Sequence, residues 1–192
     1  MHFFLYEWIT GGGLVEESGS LPRSLLQEGS AMLTALAKDL AAIPDARVSA
    51  LKDMRLDALS LPGCQVHEVQ SRADHEEEFL RQAEAADYTL VIAPEFDGIL
   101  SASHRLVEDH GNQLAGCDQG FVALATDKHQ TALRLAKHGV PVPQAVILEP
   151  DEEKLPADFA YPAVLKPIDG AGSQDMLLVS KPSDDPPRYA WP

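Results

Sequence analysis

Apolar and polar positions follow two different periods along this chain. "HFFLY" at 2–6 is a short, mostly apolar run of the kind that forms a buried strand, and "EWITGGGLVEESGS" after it is polar and rich in glycine. Leu25, Leu26, Met32, Leu33, Leu36 and Leu40 then recur at helical spacing through "LPRSLLQEGSAMLTALAKDLAAI". "RVSAL" (47–51) and "CQVHEV" (64–69) read as two further strands separated by the turn signal "LPG". "ADHEEEFLRQAEAAD" reads as a helix with Asp74 at its N-cap and Glu77 three residues on. "YTLVIAP" (88–94) is the clearest buried strand, continuous, apolar and stopped by proline, and "GILSASHRLVEDHG" reads as a helix closed by Gly111.

Strands alternating with helices predict an α/β fold, a twisted and mostly parallel sheet with helices on both faces. Ligands of such sheets gather at the carboxyl ends of the strands. The first strand ends in Glu7 followed by Gly11, Gly12 and Gly13, and the strand at 88–94 runs into "PEFDG" with Glu95. Neither has the Gly-x-Gly-x-x-Gly spacing of a dinucleotide site or the Gly-Lys-Ser ending of a P-loop. The architecture therefore reads as Rossmann-like without a standard dinucleotide site. Glu7, Gly11, Gly12, Gly13 and Glu95 admit two readings: an acceptor-substrate site at the sheet's edge, or turns and caps.

A second part begins near residue 120. "TDKHQTALRLAKHGVPVP" predicts a helix starting at Thr126 or Asp127 and stopping at Gly139. "QAVIL" (144–148) reads as a strand and "EPDEEKLPADFA" as an acidic linker. "YPAVLKPI" (161–168) reads as a strand that opens a glycine-rich loop, and "MLLVS" (176–180) as its hairpin partner. The expected organisation is a domain over 1–120, a partial second domain over 121–180 and a loose tail over 181–192. Segments 11–20, 149–158 and 181–192 read as the loosest parts.

Composition narrows the function. The chain has 192 residues, 45% of them hydrophobic, which supports a sizeable core. Thirty acidic against 15 basic residues leave a net charge of −15, which disfavours nucleic-acid and anionic membrane partners. The first ten residues lack the basic start and long apolar run of a signal peptide, and no run reaches the length of a membrane span. Two cysteines far apart in sequence, Cys64 and Cys117, offer neither a metal spacing nor a disulfide framework, so a cytoplasmic location is expected. Cys117 reads as a buried small hydrophobe, and His104, His110, His129 and His138 as surface residues; no metal ligand is assigned.

Lys128 at a helix start and Lys166 at a strand end stand 38 residues apart. A lysine followed by Asp169, Gly170, Gly172 and Ser173 suits either a phosphate, held by an ammonium and backbone N–H groups, or an ordinary surface hairpin. "TDKHQTALRLAKHGVPVP … YPAVLKPIDGAGSQD" resembles the opening of the ATP-grasp domain, and the N-terminal part resembles the Rossmann-like domain that precedes it. "FFLYEWITGGGL", "YTLVIAPEFDGIL" and "LAGC" look most like the tyramine–glutamate ligase branch of that superfamily, part of methanofuran biosynthesis. The resemblance implies an ATP-dependent carboxylate–amine ligase acting through an acylphosphate, with small-molecule carboxylate and amine substrates and with ATP and Mg2+ as cofactors. It implies that Lys128 and Lys166 hold ATP phosphates, with Asp169, Gly170, Gly172 and Ser173 in a lid over them.

The family's adenine hinge acid, ribose-binding acid and magnesium-holding Glu and Asn find no counterpart after residue 180. The expectation is thus the front part of a ligase with no catalytic or metal residue of its own, its ATP site completed by a homo-oligomer or a second chain. A non-catalytic α/β module binding a small metabolite or a partner chain is the alternative.

Overall fold

The structure, a computed structural model, describes residues 1–110, 113–149, 155–170 and 176–182. The chain divides into two compact units, Met1–Ala123 and Leu124–Pro192. Gly111, most of the acidic run 149–153, Gly172, Ser173 and the tail beyond residue 182 lie outside the described residues.

The first unit is built on strands β1 (His2–Glu7), β2 (Arg47–Asp53), β3 (Cys64–Val69), β4 (Tyr88–Ile92) and β5 (Gln113–Leu114). Every pairing is parallel and the order is β3-β2-β1-β4-β5. Helices α1 (Arg23–Ala41), α2 (Arg72–Ala85) and α3 (Ile99–Asp109) connect them, as the alternation of periods predicts. β2 reaches β3 without a helix, through residues 54–63, whose Leu59 and Leu61 join the core. The order reverses at β1, where the chain leaves towards β2 and later returns as β4 on the other side. Such a reversal opens a crevice at the carboxyl ends of the two strands.

Strand alternation sorts the core into two layers. Phe4 and Tyr6 of β1 pack with Leu51, Val69, Phe79, Ala83 and Val107 on the face covered by α2 and α3. Leu5 points the other way, to Val48, Ala50, Leu61 and to Leu33 and Ala37 of α1. Burial of such side chains contributes about 1.5–3 kcal/mol each, so β1 anchors the unit on both faces.

Several local expectations are corrected. The N-cap of α2 is Ser71 rather than Asp74: the Ser71 hydroxyl accepts from the Asp74 amide at 3.2 Å, while the Asp74 carboxylate accepts from the Gln70 amide at 2.9 Å. A hydroxyl three residues ahead of an amide can accept its hydrogen bond, and an acid inside the first turn then favours the helix dipole. His104 is buried at 4% exposure on the inner side of α3, and Cys117 is exposed. The sequence assigned neither β5 nor a short helix α4 (Gln119–Thr126). Residues 144–148 form no strand, because no described strand lies alongside to receive their backbone groups.

The second unit contains α5 (Lys128–Lys137) and an antiparallel pair, β6 (Ala163–Leu165) and β7 (Leu177–Val179). The Asp127 carboxylate caps α5 by accepting from the Gln130 amide at 2.8 Å, and Gly139 takes φ 75° just beyond the helix. The two strands pair as the sequence predicts, with Val164 opposite Leu178. No described helix is long and apolar enough to cross a membrane.

Candidate functional site

At the carboxyl edge of the parallel sheet, Glu7 ends β1 and turns its carboxylate back into its own loop. Oε2 accepts from the Thr10 amide at 2.8 Å and the Thr10 hydroxyl at 2.7 Å, and Oε1 accepts from the Ile9 amide at 3.2 Å. At 3% exposure the side chain is turned away from solvent. Burial pushes its carboxyl above the ordinary range, against the opposing pull of the Thr10 and Ile9 hydrogen bonds.

Because the folded carboxyl binds its proton more tightly than the unfolded one, wild-type stability falls as pH rises through the raised pKa. Glu7→Gln cannot ionise, so its stability relative to wild type should rise over the same interval, measured by urea unfolding from acid to neutral pH. A variant that loses ground with rising pH would show that the Thr10 hydrogen bonds outweigh burial.

The glycines beside it are packing positions. Gly12 takes φ 99°, and a Cβ there would stand 2.5 Å from Val69. Side chains at Gly11 and Gly13 would run into Tyr6 and the Trp8 indole. The loop is also pinned from outside. Arg55 donates to the carbonyls of Leu14 (2.8 Å), Glu17 (2.9 Å) and Gly19 (3.4 Å) while its Nη2 pairs with Asp53 at 2.6 Å. The reading of 11–20 as loose is therefore corrected: a distant guanidinium satisfies its carbonyls. Burial alone would raise the Asp53 carboxyl, but the hydrogen bonds and charge of Arg55 hold it below the ordinary value.

Trp8 joins this loop to the one after β4. Its amide donates to the Ile92 carbonyl at 2.9 Å, and its ring meets Phe96 edge-on with centroids 6.5 Å apart. Glu95 lies half-buried in that second loop, just before Asp97 and Gly98, which both take positive φ. Glu7, Gly11, Gly12, Gly13 and Glu95 thus share one sheet edge at the β1/β4 reversal, with Glu7 beneath the surface and committed to its loop.

In the second unit Lys128, Asp169 and Gly170 meet at one turn, while Gly172 and Ser173 lie outside the described residues. Lys128 is the first residue of α5 and donates its ammonium to the carbonyls of Ile168 (3.2 Å), Asp169 (2.6 Å) and Gly170 (3.1 Å). Its amide also donates to Ile168, at 3.1 Å. Gly170 takes φ 99°, as the turn requires. Lys166 follows β6 and is exposed, and among the described residues no hydrogen bond or ion pair engages it. Exposure alternates from Ala163 through Ile168, so Val164, Lys166 and Ile168 share the open face while Leu165 and Pro167 are half-buried. Val164 (54% exposed) and its cross-strand partner Leu178 (67%) form an apolar pair on that face.

The sequence reading missed Arg55 and Gly29. An isolated glycine inside the periodic pattern of α1 was the available signal for Gly29, and it marks a close approach. Arg55 carried none, since its partners at 14–19 are remote in sequence.

Comparison with known proteins agrees with this architecture. Residues 46–120 match the family described as the pre ATP-grasp 3 domain, and residues 125–189 match the ATP-grasp domain. The chain is 26% identical over 164 residues to the tyramine–L-glutamate ligase of Methanocaldococcus fervens, covering 84% of this chain and 52% of that protein. The crystal structure of a protein from Archaeoglobus fulgidus, described as of the ATP-grasp superfamily, superposes with a TM-score of 0.64 at 20% identity. That match covers 96% of this chain and 50% of the other, so the chain spans about half the length of both relatives. A five-stranded parallel sheet with a pre-ATP-grasp signature over 46–120, followed by an ATP-grasp signature over 125–189, gives this chain the domain order and fold of ATP-grasp proteins.

Proposed function

We propose that the chain contributes nucleotide-phosphate binding to an ATP-dependent carboxylate–amine ligase, with Lys166 as the phosphate-contacting residue. The observation that carries this reading is the open face of the β6–β7 pair, where an exposed ammonium stands beside the exposed Val164–Leu178 pair. A ligand with phosphates at one end and a flat base at the other suits that combination, the base covering apolar surface while the cation neutralises charge. ATP, when bound, supplies the phosphoryl group that activates a carboxylate for attack by an amine. The substrates proposed are a small amine and a small carboxylate, of the kind named in the Methanocaldococcus relative. Gly172 and Ser173 would belong to the same phosphate loop, and the sheet edge with Gly11, Gly12, Gly13 and Glu95 is the proposed place for an acceptor substrate, with Glu7 shaping it from beneath. The described residues hold no group of three or more His, Cys, Asp or Glu fit for a metal ion, so no step is assigned to Mg2+.

The test is an ATP titration of the 192-residue chain followed by NMR. Affinity near 1 mM, about −4 kcal/mol, is the expected outcome. Lys166→Met should weaken it at least about tenfold, a loss of roughly 1.4 kcal/mol, with the spectrum otherwise unchanged. Equal affinity in wild type and variant would remove Lys166 from the site.

A further inference from the structure

One hydrogen bond beneath the glycine loop fixes which nitrogen of a histidine carries its proton. Tyr6 of β1 is 1% exposed, and its phenol oxygen stands 2.9 Å from Nε2 of His75, in the first turn of α2. Among the described residues the phenol has no other hydrogen-bond partner. A buried hydroxyl hydrogen needs an acceptor, and only an unprotonated Nε2 offers one here. Burial, with the neighbouring Glu7, pushes the phenol's pKa up, so Tyr6 keeps its proton and donates it. His75 is then neutral, with its hydrogen on Nδ1. Nδ1 is not one of the described buried atoms that lack a partner, so water can serve it.

Protonating His75 breaks this arrangement. Nε2 then also donates, and the phenol hydrogen is left buried with nothing to accept it. The charged ring would lie against Tyr6 and Phe79, whose centroids stand 5.7 and 6.4 Å from it. Burial accordingly draws the His75 pKa below its ordinary 6.5, while on α2 Glu76 and Asp74 pull it up and Arg72 pushes it down. From the loop side Glu16 accepts from the Arg72 amide at 2.8 Å. The glycine loop leans on the same imidazole. A Cβ at Gly12 would stand 3.2 Å from Cδ2 of His75, the carbon bonded to Nε2, and 2.5 Å from Val69. The Gly12 backbone thus rests on a wall made by the imidazole and Val69.

We propose that Tyr6 and His75 are positioning residues of the glycine loop: the phenol holds the imidazole in its Nδ1–H form, the neutral ring supports Gly12, and protonation of His75 releases the loop. An acceptor site on this loop is then assembled at neutral pH and lost in acid. The acceptor role rests on the reading given above, whereas the clamp stands on this chain alone. Its contribution is fully present above about pH 6.5 and is lost as pH falls from there through the lower, folded value.

Nitrogen NMR of the histidine rings, together with amide hydrogen exchange, tests this on the 192-residue chain without any ligand. At neutral pH His75 should show the Nδ1–H tautomer. Between about pH 7 and about pH 5 the protection of the Gly13 amide, donated to Trp8, should fall about tenfold or more, in step with the titration of His75. The Asp74 amide, held by the Ser71 cap, should keep its protection and so distinguish an opened loop from an opened helix. Tyr6→Phe keeps the aromatic packing but removes the hydroxyl, so His75 should lose its pure Nδ1–H form and titrate at higher pH. His75→Gln offers the phenol an amide oxygen and cannot protonate, so its Gly13 protection should no longer depend on pH over this range.

An Nε2–H tautomer in the wild type, or a Gly13 protection that ignores the titration of His75, would overturn the clamp. A pH-dependent Gly13 amide in His75→Gln would do the same, by putting the titrating group elsewhere. None of these readouts involves ATP or an acceptor, so they decide the clamp whatever the loop binds.

Discussion

Replacing Arg55 by alanine should lower the unfolding free energy by about 3 kcal/mol and open residues 14–19 to protease. Asp53 is fully buried, and the guanidinium reaches it through Nε (2.9 and 3.2 Å) and Nη2 (2.6 Å). Without the guanidinium, one oxygen keeps only the residue-55 amide and the other loses its donors. An unpaired buried carboxylate costs about 3–5 kcal/mol, and the lower end applies because the Arg55 side chain is 31% exposed. Three loop carbonyls lose their donor at the same time, so the segment that Arg55 ties to Asp53 should become cleavable.

The pair also sets an acid limb. The Asp53 carboxyl is held below its ordinary value of 3.8, so its contribution is present above that value and lost as pH falls through the lower, folded one. The gap between wild type and Arg55→Ala should therefore narrow below about pH 4. Adding Asp53→Asn to the variant should recover part of the loss, because no charge is then stranded. A urea-unfolding difference under about 1 kcal/mol would mean that water replaces the guanidinium and that the pair behaves as a surface ion pair.

Gly29→Ala is a test of sign. Alanine is favoured over glycine inside a helix by about 1 kcal/mol, and α1 is a helix of 19 residues with Gly29 in its interior. Propensity alone predicts a gain. A Cβ at 29 would stand 2.6 Å from Cδ and Oε2 of Glu7 and 2.7 Å from Oε1, closer than atoms pack. The carboxylate has no free direction to yield, since Thr10 and Ile9 hold it from the far side. Either α1 lifts off the sheet or Glu7 loses buried hydrogen bonds, and each costs more than propensity returns. The expected outcome is a net loss of about 2 kcal/mol by thermal or urea unfolding. With Glu7→Ala present, the added methyl has room and the same substitution should become neutral or favourable. A stabilised Gly29→Ala single variant would show that α1 can slide at no cost.

Periodicity carried most of the architecture. Continuous apolar runs at 2–6 and 88–94, and a helical stripe through Leu33 and Leu36, are local properties of chain chemistry, and the five-stranded sheet follows from how they alternate. Lys166 was legible because a lysine beside a glycine-rich turn is unusual enough to notice, and Lys128 because "TDKHQTALRLAKHGVPVP" resembles the opening of the ATP-grasp domain. Their different surroundings were not, since hydrogen bonds from residue 128 to 168–170 cross 40 residues of chain. The N-cap at Ser71 was misread because Ser71 and Asp74 are both capping residues, and only the path of the backbone decides which one accepts. The strand expected at 144–148 failed for a similar reason: β-structure needs a partner, and an apolar run does not contain one. Glu7 shows the limit most clearly. A carboxylate at a strand end next to three glycines reads equally well as a binding group or a cap. Its bonds to Thr10 are local, but its burial against Gly29 and the Arg55 anchor beyond it arise only when β1, α1 and β2 are brought together, because both rest on contacts between residues that are far apart in sequence.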